Sequence, residues 1–277
     1  MLLRSITAVS VLVAVVICVL CGGFAGLNWL WLLPAGFAGC WLVLMLVAFV
    51  FLWIYTGRVD KNVPQEEDDP HYRAAMYLYI EALVMLLRVR IHTRGLEKTP
   101  QDGRFLLVCN HQFVADPGII HHVFRKSQLA FISKKENSSL FAVGGFMHKT
   151  LCQTLDREDD RQALRVILKC IQLLKEDKVS VCVFPEGGTN HDELLHAFRP
   201  GVFKIAQKAN VPIVVCTVQN TRPILHNGLR LKPTDVELHL LEVIPAEELK
   251  GRTTVEIADR VHQIMADDLG PSLVAAE

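Results

Sequence analysis

Asn110-His111-Gln112-Phe113-Val114-Ala115-Asp116 sets an imidazole and a carboxylate five residues apart. A histidine that must take a proton near neutral pH is helped by a carboxylate that fixes its tautomer and stabilises the imidazolium. Around a turn, this spacing lets Asp116 fold back onto the His111 ring. With eleven histidines in 277 residues a chance His-x4-Asp is common, so the pair needs company. Phe184-Pro185-Glu186-Gly187-Gly188-Thr189 supplies it: proline, a carboxylate and two glycines describe a tight turn whose backbone can approach a ligand closely. Leu155-Asp156-Arg157 adds a carboxylate and a guanidinium. His121 and His122 are neighbours on a helix pattern and so point to two faces, and His191 follows the glycine turn. Neither arrangement has metal-ligand spacing.

Positioning these groups falls to alternating strands and helices. Arg104–Asn110, Leu129–Ser133, Val179–Phe184, Ile213–Val218 and Val236–Val243 read as strands, with Cys152–Leu155 a further strand-like segment. Several are continuous apolar runs, the pattern of strands covered on both faces. Asp116-Pro117-Gly118 breaks the first and Ile119 onward starts a helix. Asp160 is expected to cap a helix through Val166, Cys170 and Leu174, and Thr253-x-x-Glu256 is a capping box for the last helix. Strands separated by helices of this length imply βαβ units and an α/β fold with a mostly parallel central sheet flanked by helices. His111 and Glu186 then both lie just past strand ends, where such sheets present their chemistry.

The charge is placed unevenly. Lys plus Arg and Asp plus Glu both total 29, yet residues 1–57 contain Arg4 and no other charged side chain. Ile6–Leu20 and Pro34–Tyr55 are apolar runs long enough, at about 1.5 Å per residue, to reach across or deep into hydrocarbon. A second apolar run directly after the first argues against a cleaved signal peptide and for a retained two-helix membrane hairpin. Its connector carries no Lys or Arg, whereas Arg4, Arg58 and Lys61 flank the outer ends. The positive-inside rule puts both ends and the main domain on the cytoplasmic side. The zero net charge argues against a nucleic-acid partner. The eight cysteines sit mostly in apolar runs, where they act as small hydrophobes, and no zinc pattern emerges. The expected organisation is a hairpin at 1–57, a linker and amphipathic helix at 58–88, an α/β domain at 89–270 and a short tail at 271–277.

NHQFVAD, LDR at 155–157, FPEGGT and Val211-Pro212-Ile213-Val214-Val215 occur in the order and approximate spacing of the lysophosphatidic acid acyltransferase family. The chain resembles that family from about residue 85 to 245, and Lys134-Lys135-Glu136 is similar to a Lys-x-Glu element found there. The resemblance implies the glycerolipid acyltransferase fold and transfer of a fatty acyl group from acyl-CoA or an acyl-carrier protein to the sn-2 hydroxyl of 1-acylglycerol-3-phosphate, giving phosphatidic acid. It implies His111 and Asp116 as catalytic residues. Glu186, Gly187, Gly188, Arg157, Asn110, Lys135 and Arg199 would bind substrate. The family reads Phe-Pro-Glu-Gly-Thr-Arg where this chain has Gly188 and Thr189, so a cation expected near the acceptor phosphate is missing there. Arg199 or Lys204 could replace it, as could Arg157 with Lys134 or Lys135.

On this reading His111 deprotonates the acceptor hydroxyl, which attacks the thioester carbonyl, while backbone N–H groups of residues 186–188 receive the oxyanion. Thiolate is a good leaving group, so neither a metal nor a cofactor is expected beyond the acyl thioester as co-substrate. Cys109 as an acyl-enzyme nucleophile is disfavoured, because a buried strand cysteine is usually inert. The altered third block also fits another lysophospholipid or an aminolipid as acceptor. A membrane-anchored lipid or acyl-carrier binder without catalysis would have no need of the His–Asp pair. A hydrolase reading lacks a Gly-x-Ser-x-Gly elbow.

Overall fold

The computed structural model describes residues 1–156, 159–189 and 192–275, with the backbone alone at Asp160. The chain opens with α1 (Leu2–Leu20) and α2 (Trp29–Gly57), of about 28 and 43 Å at the helical rise. Both are apolar enough to cross a membrane by length and composition. The residues of α1 that are buried, Ile6, Ser10, Ala14 and Cys18, recur every fourth position and form one stripe. A Cβ built on Gly36 of α2 would lie 3.3 Å from Ala14 Cα, so small residues let the two helices approach closely. Ser10 satisfies its hydroxyl within the helix by donating to Ile6 O at 2.8 Å. Most other hairpin side chains are exposed and the rest are mainly half-buried.

After the linker comes α3 (Pro70–Leu86), with Pro70 in its first turn and Asp69 accepting from His71 and Tyr72 N–H at its start. The remaining elements are β1 (Val89–Arg94), β2 (Leu106–Cys109), α4 (Asp116–Val123), β3 (Leu129–Lys134), α5 (Val143–Lys149), β4 (Gln153–Leu155), α6 (Asp160–Lys175), β5 (Ser180–Val183), α7 (Lys204–Ala209), β6 (Ile213–Gln219), α8 (Ile224–Leu229), β7 (Thr234–Ile244) and α9 (Thr254–Leu269). Among the described residues the strands form one sheet in the order β1-β7-β6-β2-β5-β3-β4. From β6 to β4 every pairing is parallel. β7 runs antiparallel to β6 and carries β1 parallel to itself at the edge. The sheet is thus mixed, with a parallel centre.

Period-two alternation sends β-strand side chains to two cores. Leu106, Val108, Val181, Val183, Ile213 and Val215 pack under α6 and α9 through Val166, Cys170, Ile257, Val261 and Met265. Leu107, Cys109, Cys182, Val214 and Cys216 pack on the opposite side with Ile119 and Ile120 of α4, Ile224 of α8 and Val84 of α3. Each fully buried aliphatic side chain contributes about 1.5–3 kcal/mol. Helices on both faces explain why the central strands are apolar throughout.

Two local expectations shift. The cap of α6 is Asp159, not Asp160: Asp159 has the extended backbone a cap needs, and its side chain accepts from Gln162 N–H at 3.0 Å. The capping box at Thr253 and Glu256 forms as the spacing implies. The amphipathic helix, which the apolar pattern alone would start at Met76, begins at Pro70, because Asp69 caps it there.

The hairpin is locked to the sheet domain through α3. Arg73 is buried and forms an ion pair with Asp68 at 2.6 Å. It also donates to Leu129 O at the start of β3 and to Thr150 O after α5. Tyr79 and Tyr72 donate to the α2 carbonyls of Ala48 and Tyr55, and Tyr55 stacks on Tyr72 at 4.2 Å.

Candidate active site

Three adjacent strand ends build the site. β6, β2 and β5 lie side by side and point the same way, so the segments that follow them emerge together: Thr221 after β6, His111 after β2, Glu186 after β5. This is the carboxyl edge at which a parallel sheet places ligands.

Asp116 anchors the group. Its carboxylate is fully buried and its Oδ2 accepts from Gln112 N–H at 2.7 Å, Phe113 N–H at 2.8 Å and His111 Nδ1 at 2.8 Å. Its Oδ1 accepts from the Thr221 hydroxyl. A buried carboxylate is costly unless charge-assisted bonds surround it, and four donors do so here. Because Asp116 only accepts, Nδ1 of His111 carries the proton and Nε2 keeps a lone pair. The His111 ring is stacked on Phe184 at 4.1 Å between centroids, which fixes its plane. Its Nε2 lies 2.9 Å from the Thr189 hydroxyl. With this tautomer the hydroxyl donates and the nitrogen accepts.

Glu186 binds the two loops of the site to each other. One carboxylate oxygen accepts from His111 N–H at 2.8 Å and the other from His196 N–H at 3.1 Å. Burial pushes its pKa above the usual carboxylate value, and these N–H bonds partly oppose the shift. Gly187 has φ of +77°, and a Cβ there would meet Arg199 Nε at 2.5 Å. The positive φ favours glycine, and the missing Cβ leaves room for the exposed Arg199 side chain to lie across the turn. The Gly187 N–H is spent on Phe184 O at 3.1 Å. That leaves Gly188, whose N–H has no acceptor among the described residues.

Other candidate residues separate. Asn110 is buried and uses both ends of its amide on the Val218 main chain, donating to Val218 O at 2.9 Å and accepting from Val218 N–H at 2.8 Å. It extends the β2–β6 ladder past its end and so aims His111. Lys135 follows β3, one strand beyond β5, and is exposed; among the described residues its side chain has no hydrogen bond or ion pair to His111, Asp116 or Glu186. Arg157 and His191 lie outside the described residues. Lys204 is exposed at the start of α7. Cys109 is fully buried in the sheet, and burial holds its thiol well above the ordinary pKa. His121 is buried against Phe131, and burial lowers its pKa to about 3; it is a neutral core residue. Among the described residues no three His, Cys, Asp or Glu side chains group as metal ligands.

Thr221, Phe184 and His196 belong to the site and were not legible as members. Phe184 could have been suspected from its place before Pro185. Thr221 and His196 act from other loops with no motif to mark them. Gln112 Oε1 is buried without a partner among the described residues.

Residues 90–219 match the family model described as Acyltransferase. A 1-acyl-sn-glycerol-3-phosphate acyltransferase of Chlamydomonas reinhardtii is 30% identical over 64% of this chain and 52% of its own length. The alpha form of that enzyme in Bos taurus is 28% identical over 65% of this chain and 63% of its own. A probable one from Mycoplasma pneumoniae is 29% identical over 71% and 75%. The chain therefore spans between half and two thirds of the first two relatives. The crystal structure of the lysophosphatidic acid acyltransferase PlsC from Thermotoga maritima superposes with a TM-score of 0.63 at 23% identity, covering 84% of this chain and 94% of that one. The two share a fold.

Proposed function

We propose that this chain, which carries an acyltransferase-family domain over residues 90–219, transfers a fatty acyl group from an acyl thioester to the sn-2 hydroxyl of 1-acylglycerol-3-phosphate, giving phosphatidic acid. The observation that carries this reading is His111, its Nδ1 held by Asp116 and its Nε2 already engaged with a hydroxyl at 2.9 Å. The acceptor hydroxyl takes the place of that hydroxyl. His111 removes its proton as the oxygen attacks the thioester carbonyl, and the Gly188 N–H donates to the oxyanion. The imidazolium returns the proton to the departing thiolate. Glu186 keeps the His111 main chain and the glycine turn in register. Arg199, lying across Gly187, would meet the acceptor phosphate, with Lys135 and Arg157 as further candidates. A thiolate leaves without metal assistance, so acyl-CoA or acyl-carrier protein serves as co-substrate and no separate cofactor enters.

Lipid access fits the surroundings. Val114, in the turn between His111 and Asp116, is 66% exposed, and Phe141 stacks on Phe49 of α2 at 5.1 Å. Apolar surface at the site and at the hairpin would let a lysolipid reach the base without lifting its chain into water. With Arg4, Arg58 and Lys61 on one side of the hairpin, the catalytic domain faces the cytoplasm.

Gly188 and Thr189 in place of the family's Thr-Arg support a second reading, another lysophospholipid or an aminolipid as acceptor. The test follows thiol release from a long-chain acyl-CoA in detergent micelles, with 1-acylglycerol-3-phosphate or other lysolipids. Phosphatidic acid formation that falls by about 10³-fold in His111→Ala supports the reading. Transfer to other acceptors alone moves it to the second. Failure with every acceptor and both donor classes defeats it.

A further inference from the structure

Thr189 does more than fill the acceptor's place. Its Oγ1 is 2.9 Å from His111 Nε2, His111 Nδ1 is 2.8 Å from Asp116 Oδ2, and Asp116 is braced by Thr221. Hydroxyl, imidazole and carboxylate in this order are the parts of a hydrolytic triad, recognised by geometry and role, not by sequence position. The hydroxyl belongs to a threonine after two glycines, is exposed, and follows directly on Gly188, whose N–H has no main-chain acceptor among the described residues. No Gly-x-Ser-x-Gly elbow announces it. Asp116 accepts from three other donors besides the ring, so the tautomer that leaves Nε2 free to take the Thr189 proton is enforced. A threonine meant only to shape a turn has no need of that alignment.

We propose that Thr189 is a nucleophile of this site, and that in the absence of acceptor the chain acylates itself there and releases the acyl group to water, a thioesterase activity. The inference rests on the acyltransferase reading, since it uses the same base and donor. In the first step the Thr189 Oγ–C(acyl) bond forms and the C–S bond breaks. The hydroxyl proton passes to His111 Nε2 and from there to the thiolate, giving an acyl-threonine ester and free thiol. In the second, water attacks the ester carbonyl, His111 takes its proton and returns it to Thr189 Oγ1, and a free fatty acid leaves. A lysolipid hydroxyl that displaces Thr189 from Nε2 shuts off this route, so acceptor suppresses hydrolysis.

The experiment uses the full chain in detergent micelles with palmitoyl-CoA alone. Thiol release without acceptor, a mass gain of one palmitoyl group per chain in acid-quenched samples, its localisation to the peptide containing Thr189, and its loss on hydroxylamine treatment are expected. Thr189→Val should lose the adduct and lower acceptor-free thiol release by at least about 100-fold. Thr189→Ser should retain both, which separates a lost nucleophile from a disturbed turn. An adduct that persists in Thr189→Val overturns the inference. So does a wild type that transfers palmitate to 1-acylglycerol-3-phosphate yet shows neither adduct nor acceptor-free thiol release; the acyltransferase reading then stands alone. No thiol release with any acceptor defeats both.

Discussion

Among the described residues two histidines are held by an aspartate through Nδ1: His111 by Asp116 at 2.8 Å, and His239 on β7 by Asp268 of α9 at 3.1 Å. The resemblance goes further. Each aspartate also accepts from a threonine hydroxyl, Thr221 in one case and Thr217 in the other. The two imidazoles are equally sheltered, with side chains 14% and 17% exposed. What differs is the far nitrogen. His111 Nε2 meets a hydroxyl at an open strand end, whereas His239 Nε2 faces the Glu237 carboxylate at 3.6 Å, and Arg94 donates to Asp268 at 2.9 Å. A ring between two carboxylates is a ligand of its own protein. A ring between a carboxylate and a hydroxyl has a proton to take. The dyad alone says little; its second nitrogen decides the use.

The largest way to test the contrast is His111→Ala, expected to lower kcat by about 10³-fold, beside His239→Ala, expected to leave kcat within about twofold of wild type because its ring reaches no substrate. Equal losses would erase the distinction. Asp116→Asn should lower kcat on the order of 10²-fold or more by freeing the His111 tautomer, with the helical and strand circular dichroism retained. Asp268→Ala leaves Thr217, His239 and Arg94 without their shared acceptor. It should cost about 2 kcal/mol in urea unfolding followed by circular dichroism, with kcat unchanged. Thr221→Val removes one donor to Asp116 and should lower kcat about five- to tenfold, equivalent to about 1 kcal/mol. The smallest effect concerns Glu186, whose folded pKa is raised chiefly by burial. The folded chain then binds this proton more tightly than the unfolded one. Stability falls as pH rises from the ordinary Glu value toward the raised one and is level above it. Glu186→Gln should flatten that stretch in unfolding curves taken from about pH 4 to 7.

The central strands were legible because burial on both faces demands apolar residues without interruption, and β2, β5 and β6 have them. β1 was not set apart as a strand: at the sheet edge its Arg90, His92 and Arg94 face solvent and break any apolar pattern. His111 and Asp116 could be paired on paper since both sit in one turn. His239 and Asp268 could not, being joined only when α9 packs on β7. The same limit hid Thr221 and His196, which reach the site from separate loops. Asn110 shows the converse. Its place in a motif invited a substrate role, yet its amide is consumed by Val218, a partner fixed by strand order and not by neighbouring sequence. Arg199 was legible only as a cation; the missing Cβ of Gly187 leaves room for it to cross the turn.

The edge pairing of β1 with β7 has a consequence for how the chain comes off the ribosome. β1 is complete at Arg94, but its only strand neighbour among the described residues does not begin until Thr234. At about 5–20 residues per second, β1 waits on the order of ten seconds for a partner. For that interval its backbone is an open edge, a template for pairing with other nascent chains. The hairpin precedes the sheet domain along the chain and is apolar and long enough to enter a bilayer, where it would hold an unfinished domain on a surface during that interval.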